Sequence, residues 1–223
     1  MRIFFLSRTD SISSMDLILN KDICAFLTDS VLSCTSISLR ILFQFCMNFA
    51  RDTGEGGRKG DFLNMKSTVY IETSIPSFFY EKRDEPEMVA RRNWTREWWK
   101  SYSHLFALKT SEAVIAELDD GDYDSRNAAV KLLDDVERLY VADELADIID
   151  VYLNNHLMPR ERLGDALHLA LASYYKCDFL LTWNCRHIAN ANKFEHIRII
   201  NSRLGLFVPL LVTPMELCKE DAQ

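Results

Sequence analysis

Basic residues are in deficit. The 223-residue chain carries 26 Lys and Arg against 33 Asp and Glu, a net charge of −7. A protein that coats DNA or RNA neutralises phosphates and is more often basic, so a simple coating role is disfavoured. An enzyme whose acidic pocket holds a divalent cation is not excluded, because the ion inverts the local charge. Six cysteines are present (Cys24, Cys34, Cys46, Cys177, Cys185 and Cys218), yet none forms a C-x-x-C pair, so zinc-finger spacing is absent. Long apolar runs are missing too. The longest, Val31 to Ala50, is broken by Arg40 and seeded with Ser and Thr. It falls short of the ~20 largely apolar residues of a membrane span. Ile3 to Leu6 form an apolar patch, but Arg8 and Asp10 follow too soon for a secretory signal. These absences point to a reduced, cytoplasmic protein with free thiols.

What is present is ordinary in bulk: 48% apolar and 26% charged residues, enough for one or two soluble domains. Its distribution is uneven. Residues 1–64 hold seven basic and seven acidic residues, so the whole negative excess lies in 65–223. Four of the seven glycines fall in the polar stretch Asp52 to Asp61, just before Met65. Residues 1–64 are therefore expected to be an extension, either upstream sequence translated from a misassigned start or a partner-binding arm. The working domain is expected over 65–223.

From Met65 onward, strand-like and helix-like patterns alternate. Strands are expected at Val69–Ile71, Phe106–Lys109, Leu139–Val141, Phe179–Trp183 and Val208–Val212. Helices are expected over Pro86–Tyr102, from a Thr110/Ser111 cap through Leu118, and over Asp124–Val136, Asp143–His156, Pro159–Tyr175 and Asn190–Leu204. This order implies an α/β fold, an open and mostly parallel sheet with helices on both faces.

Sites in such sheets lie beyond the carboxyl ends of the strands. Glu72 and Asn184 follow the first and fourth strands, and Glu117 lies on the helix after the second. Asp165 sits among Ala166, Leu167, Leu169 and Ala170, where a lone carboxylate is costly unless paired or metal-bound. Glu72, Glu117 and Asp165 could converge on Mg²⁺ or Mn²⁺, hard cations that take oxygen ligands. Each residue has a plainer reading. Glu72 could cap a helix or pair with an arginine, and Glu117 could be a surface glutamate. Glu112 competes with it from the first helical turn, where a carboxylate suits the dipole. Asp165 could be a cap residue and Asn184 a turn residue.

Four runs in order carry a resemblance: Val69-Tyr-Ile-Glu-Thr-Ser74, Thr110-Ser-Glu-Ala-Val-Ile-Ala-Glu-Leu118, Asp165-Ala-Leu-His-Leu-Ala170 and Leu181-Thr-Trp-Asn184. Together they resemble PIN domains, specifically the VapC-like toxin ribonucleases of bacterial toxin–antitoxin pairs. The likeness spans 65–223 and none of 1–64. Two positions depart from the family pattern, with Glu at 72 and Asn at 184 where Asp is usual. The resemblance implies a PIN-like fold and an Mg²⁺- or Mn²⁺-dependent endoribonuclease that cleaves single-stranded RNA. It also implies a cognate antitoxin protein and a homodimer. It implies Glu72 and Asp165 as principal metal ligands and Glu117 as a ligand or water-orienting base. Asn184 would hold a metal-bound water, assisted by Thr182. The alternative is a catalytically impaired PIN-like scaffold that binds RNA or protein. A metal-dependent phosphatase is weaker still, since it usually wants D-x-D after the first strand.

Arg91, Arg92 and Arg96 could contact the RNA backbone or form a solvated helix face, and Arg186 and His187 stand beside the expected site. Trp94, Trp98 and Trp99 could stack on bases, though packing suits them better. His168 reads as a satisfied core histidine and Cys185 as incidental.

Overall fold

The computed structural model describes residues 66–121, 125–159 and 163–218. The expectations for residues 1–64, and Cys24, Cys34 and Cys46 with them, lie outside the described residues. The first strand, β1 (Thr68–Ile71), is almost wholly β-branched or aromatic, and Val69, Tyr70 and Ile71 are fully buried. Burial of successive residues, rather than of alternate ones, marks a strand covered on both faces. Four more strands follow: β2 (Ala107–Ser111), β3 (Glu137–Leu139), β4 (Phe179–Leu181) and β5 (Leu210–Val212). They form one sheet of order β3-β2-β1-β4-β5, and every pairing is parallel.

Eight α-helices link and flank these strands among the described residues. Between β1 and β2 lie α1 (Ser74–Phe79) and α2 (Pro86–Ser101), and between β2 and β3 lie α3 (Glu112–Asp120) and α4 (Arg126–Lys131). Next come α5 (Glu144–Asn154) and α6 (Leu163–Tyr174), then α7 (Ala191–Arg203) and α8 (Pro214–Leu217). The path steps outward from β1 to β3, returns to β4, and steps outward the other way to β5. Right-handed crossovers then place the first helices on one face and the return helices on the other. Packing follows the same division: α1 touches α2 and α4, α3 touches α4, and α5 pairs with α6.

The expected α/β class and parallel sheet are present, with several boundaries moved. The helix expected over Asp124–Val136 stops at Lys131, and the chain descends through tight turns in which Leu133 N–H donates to Val130 and Val136 N–H to Leu133. These turns lead the chain into β3, which begins at Glu137 in register with Lys109. Tyr140 and Val141, expected in that strand, lie beyond the sheet and are exposed. Helix α1 was not expected. Its Pro76 falls in the first turn, where the missing N–H has no helical partner to lose. Trp98 is fully buried and stacks near Phe106, while Trp99 packs edge-on against Phe79 and Trp98. Both are packing residues; Trp94 is exposed.

Two side-chain clamps bracket the β1–β4 ladder. At its start, Asp178 Oδ2 accepts from the Thr68 amide and hydroxyl at 2.8 and 3.0 Å. At its end, Thr182 Oγ1 donates to Glu72 at 2.7 Å. Farther out, Tyr152 donates to Asn201 Oδ1 at 2.6 Å, and Asn201 Nδ2 donates to Ser173 at 2.9 Å and to the Phe207 carbonyl at 2.7 Å. This buried knot ties α5, α6 and α7 together. Asn201→Ala takes the Asn201 partner from the Tyr152 hydroxyl and the Phe207 carbonyl, so a loss on the order of 3 kcal/mol is expected in urea unfolding of the full chain. A loss below 1 kcal/mol would show that the knot does not hold these helices.

Candidate metal centre

The strand order reverses between β1 and β4, and an open parallel sheet gapes at such a point. A cavity of about 540 Å³ opens there, and Glu72, Glu117, Asp165, Trp183 and Asn184 all line it. Residues drawn from four separated stretches of sequence thus meet at one edge.

Glu72 leaves the end of β1 and is almost entirely buried. Its side chain folds back on its own chain: Oε2 accepts from the Ser74 amide at 3.1 Å and the Ser74 hydroxyl at 2.5 Å. Thr182 supplies the third donor to the same oxygen. Ser74 Oγ in turn accepts from the Trp183 amide at 2.8 Å, and Thr182 Oγ1 from the Asn184 amide at 2.9 Å. The loops after β1 and β4 are thereby stitched together through one carboxylate oxygen. The extra carbon of Glu relative to Asp is taken up in the backward fold.

Glu117 comes from the last part of α3, whose start is capped by Ser111. Its Oε2 accepts from Thr73 Oγ1 and from His168 Nε2, the latter at 3.1 Å. His168 is buried on α6, and its Nδ1 meets the Tyr70 hydroxyl at 2.9 Å, which meets Ser111 Oγ at 2.8 Å. Burial raises the Tyr70 hydroxyl pKa well above its ordinary value, so it stays protonated. Burial alone would lower the His168 pKa, but the Glu117 bond and the nearby carboxylates outweigh it and hold the value above 6.5. Burial would likewise raise the Glu117 pKa, but His168 and Thr73 outweigh it and hold the value below 4.5. His168 is thus a satisfied core histidine, as expected. Sequence reading missed that it fixes Glu117. The signal was available: Asp165 and His168 are three apart on one helix and share a face.

The atoms of Glu72, Glu117 and His168 that could ligate lie within 4.8 Å of one another, and the cluster could hold a metal ion. Asp165 reaches the same cavity one turn before His168. Its Oδ1 accepts from Asn184 Nδ2 at 3.0 Å, while Oδ2 is buried with no hydrogen-bond partner. A buried carboxylate oxygen without a donor is the feature a cation would satisfy. Asn184 is held in place by His187, whose amide donates to Asn184 Oδ1 at 3.1 Å. The glycine before Asp165 is a steric requirement, because a Cβ on Gly164 would lie 2.5 Å from Glu117 Oε1.

The expected basic residues are not among those that line the cavity. Arg92 donates to the Glu81 and Arg83 carbonyls, and Arg96 to the Phe79 carbonyl. Arg91 pairs with Glu87 and sits over the rings of Phe78 and Trp183 at 5.4 and 5.6 Å. All three bind the protein itself. Arg186 is exposed just after Asn184. Burial pushes the Cys185 thiol above its ordinary pKa, which suits an incidental cysteine better than a nucleophile. No helix among the described residues is long and apolar enough to cross a membrane. A scan against protein-family models finds no match, and no curated protein matches the chain.

Two outcomes follow from this geometry. Gly164→Ala pushes the movable end of Glu117 aside and loosens its bond to His168, so the chain is expected to fold with some loss of stability while Mn²⁺ affinity, measured by calorimetric titration, falls about tenfold or more. Unchanged affinity would mean that Glu117 does not bear on the ion. The second concerns pH in EDTA-treated protein. The contribution of raised His168 is full below 6.5 and lost as pH climbs through its folded value. The contribution of lowered Glu117 is present above 4.5 and lost as pH falls through its folded value. The urea midpoint of the wild type should therefore exceed that of Glu117→Gln most between these two pH values and converge on it at both sides. A pH-independent difference would dismiss the pair.

Proposed function

We propose that the protein is a divalent-metal-dependent endoribonuclease of PIN-like architecture acting on single-stranded RNA. The observation that supports this most is the delivery of Glu72, Glu117 and Asp165, from three separate elements, into one open cavity at the switch point of a parallel sheet. The four sequence runs that resemble VapC-like toxins end at this cavity. Three carboxylates, Glu72, Glu117 and Asp165, line the cavity as an oxygen-rich set that suits Mg²⁺ or Mn²⁺ better than softer ions. When bound, such an ion supplies Lewis acidity toward a phosphodiester and lowers the pKa of water.

The residues of the chain have separable tasks. Glu72 and Asp165 would hold the ion, Glu72 with one oxygen already fixed by three donors and Asp165 with the unpartnered Oδ2. Glu117, kept ionised by His168, would be a third ligand or would accept a proton from attacking water. Asn184 holds Asp165 and presents an amide where the family usually has a carboxylate. Thr182 orients Glu72. On the same resemblance we assign an antitoxin protein and a second copy of the chain as partners, and the cytoplasm as the compartment.

One observation favours the second reading, a catalytically impaired scaffold that binds RNA or protein. Glu72 and Glu117 are already satisfied by Ser74, Thr182, Thr73 and His168, so the site is a stable polar knot without an ion.

Cleavage of a single-stranded RNA panel by the full chain separates the two. The nuclease reading expects cleavage that needs Mg²⁺ or Mn²⁺, stops with EDTA, and falls by at least about 100-fold in Glu72→Gln and in Asp165→Asn. Cleavage that survives either substitution, or RNA binding without metal-dependent cleavage, overturns it; the latter supports the scaffold.

A further inference from the structure

One part of the cavity lining comes from the end of α1 and the loop that follows, with Ser77, Phe78, Glu81 and Arg83. The cavity's four carboxylates, Glu72, Glu81, Glu117 and Asp165, would repel an anionic substrate. Arg83 is the single cation among the described residues that line it. Expectation from sequence fell instead on the arginines of α2, which bind the protein itself.

The Arg83 guanidinium is held in place. Glu81 Oε1 accepts from the Lys82 and Arg83 amides at 2.9 and 3.0 Å, so the carboxylate is locked to its own turn. Its Oε2 takes Arg83 Nη2 at 2.6 Å. The Arg83 guanidinium, against opposing burial and with help from those amides, brings the Glu81 carboxyl down to about 2. The pair therefore stays charged at any physiological pH. The turn is clamped from below by Arg92, whose Nη1 donates to the carbonyls of Glu81 and Arg83 at 3.1 and 3.4 Å. Despite these ties the Arg83 side chain is 61% exposed. A guanidinium has five N–H donors, and one is engaged by Glu81. Four N–H donors remain for an oxyanion entering the cavity, on a planar group whose fork suits phosphate.

We propose that Arg83 is the substrate-binding cation of the cavity, contacting a phosphate of the RNA strand beside the carboxylates, with Glu81 and Arg92 as its positioning residues. This rests on the ribonuclease reading above and adds to it the group that offsets the acidic wall. Glu81 keeps the guanidinium at the rim rather than letting it collapse onto Glu72, Glu117 or Asp165, where it would compete with a cation.

The test is binding of a short fluorescent single-stranded RNA to the full chain in Ca²⁺, with affinity measured against KCl concentration, beside a Mn²⁺ titration without RNA. Arg83→Gln is expected to bind RNA about tenfold or more weakly. Its slope of log affinity against log salt should fall by about 0.7, the loss of one phosphate contact on a single strand. Arg83→Lys should recover the slope and only part of the affinity. Mn²⁺ affinity should be retained in both, which shows that the site is still folded. Arg198→Gln removes the same charge from an exposed pair with Glu195, outside the cavity lining, and should keep the wild-type slope. Equal slopes in wild type and Arg83→Gln, or equal losses in Arg83→Gln and Arg198→Gln, overturn this inference and leave the nuclease reading standing. Absence of RNA binding by the wild type overturns both.

Discussion

The parallel pairing of β1 with β4 is the constraint from which the rest follows. It joins residues 110 positions apart, and a side-chain bond seals each end of the ladder, Thr68 with Asp178 and Glu72 with Thr182. Parallel register is slow to form and is set by non-local contacts, so such end clamps matter more than they would in a hairpin. A one-residue slip would separate Glu72 from Thr182 and Ser74 Oγ from the Trp183 amide. The polar edge and the apolar core therefore select the same register. The site is part of what specifies the fold rather than an ornament on it.

Much of this was readable beforehand. Val69-Tyr-Ile and Phe179-Leu-Leu declare buried strands by composition alone, and Glu72, Thr182 and Asn184 declare themselves by where those strands end. Glu117 and Asp165 were found as acids in helical stretches that feed the same edge. What could not be read was the partner of each group. That Glu72 folds back onto Ser74 is a local event, but its bond to Thr182 depends on strand order. The tie between His168 and Glu117 depends on how α6 crosses α3. For the arginines of α2, a charge in a helical pattern says nothing about the loop that packs beneath it. Arg92 and Arg96 face carbonyls of the segment just before them. The end of the helix at Lys131 was hidden for a related reason: the turns over 132–136 carry the chain into β3, and the place of β3 beside β2 is not written in a helical pattern.

The electrostatic plan is economical. Carboxylates crowd one cavity, yet each has a different answer to the repulsion. Glu72 is bound by hydroxyls and an amide, Glu117 by an imidazole, and Glu81 by a guanidinium. Only Asp165 retains a buried oxygen with no donor among the described residues. The cavity therefore has one unmet demand, placed beside an amide, in a wall otherwise at rest.

The backward fold of Glu72 has a consequence for how this chain can change. Its carboxylate is reached by Ser74 from two positions along its own backbone and by Thr182 from the neighbouring strand. A shorter acid at 72 would draw its oxygens back toward the strand and loosen the bonds to the Ser74 and Thr182 hydroxyls. A lone alanine at 74 or 182 would take a hydroxyl donor from an oxygen that now has three donors. The three side chains are thus one coupled unit, in which the length of the acid and the positions of the hydroxyls fit one another.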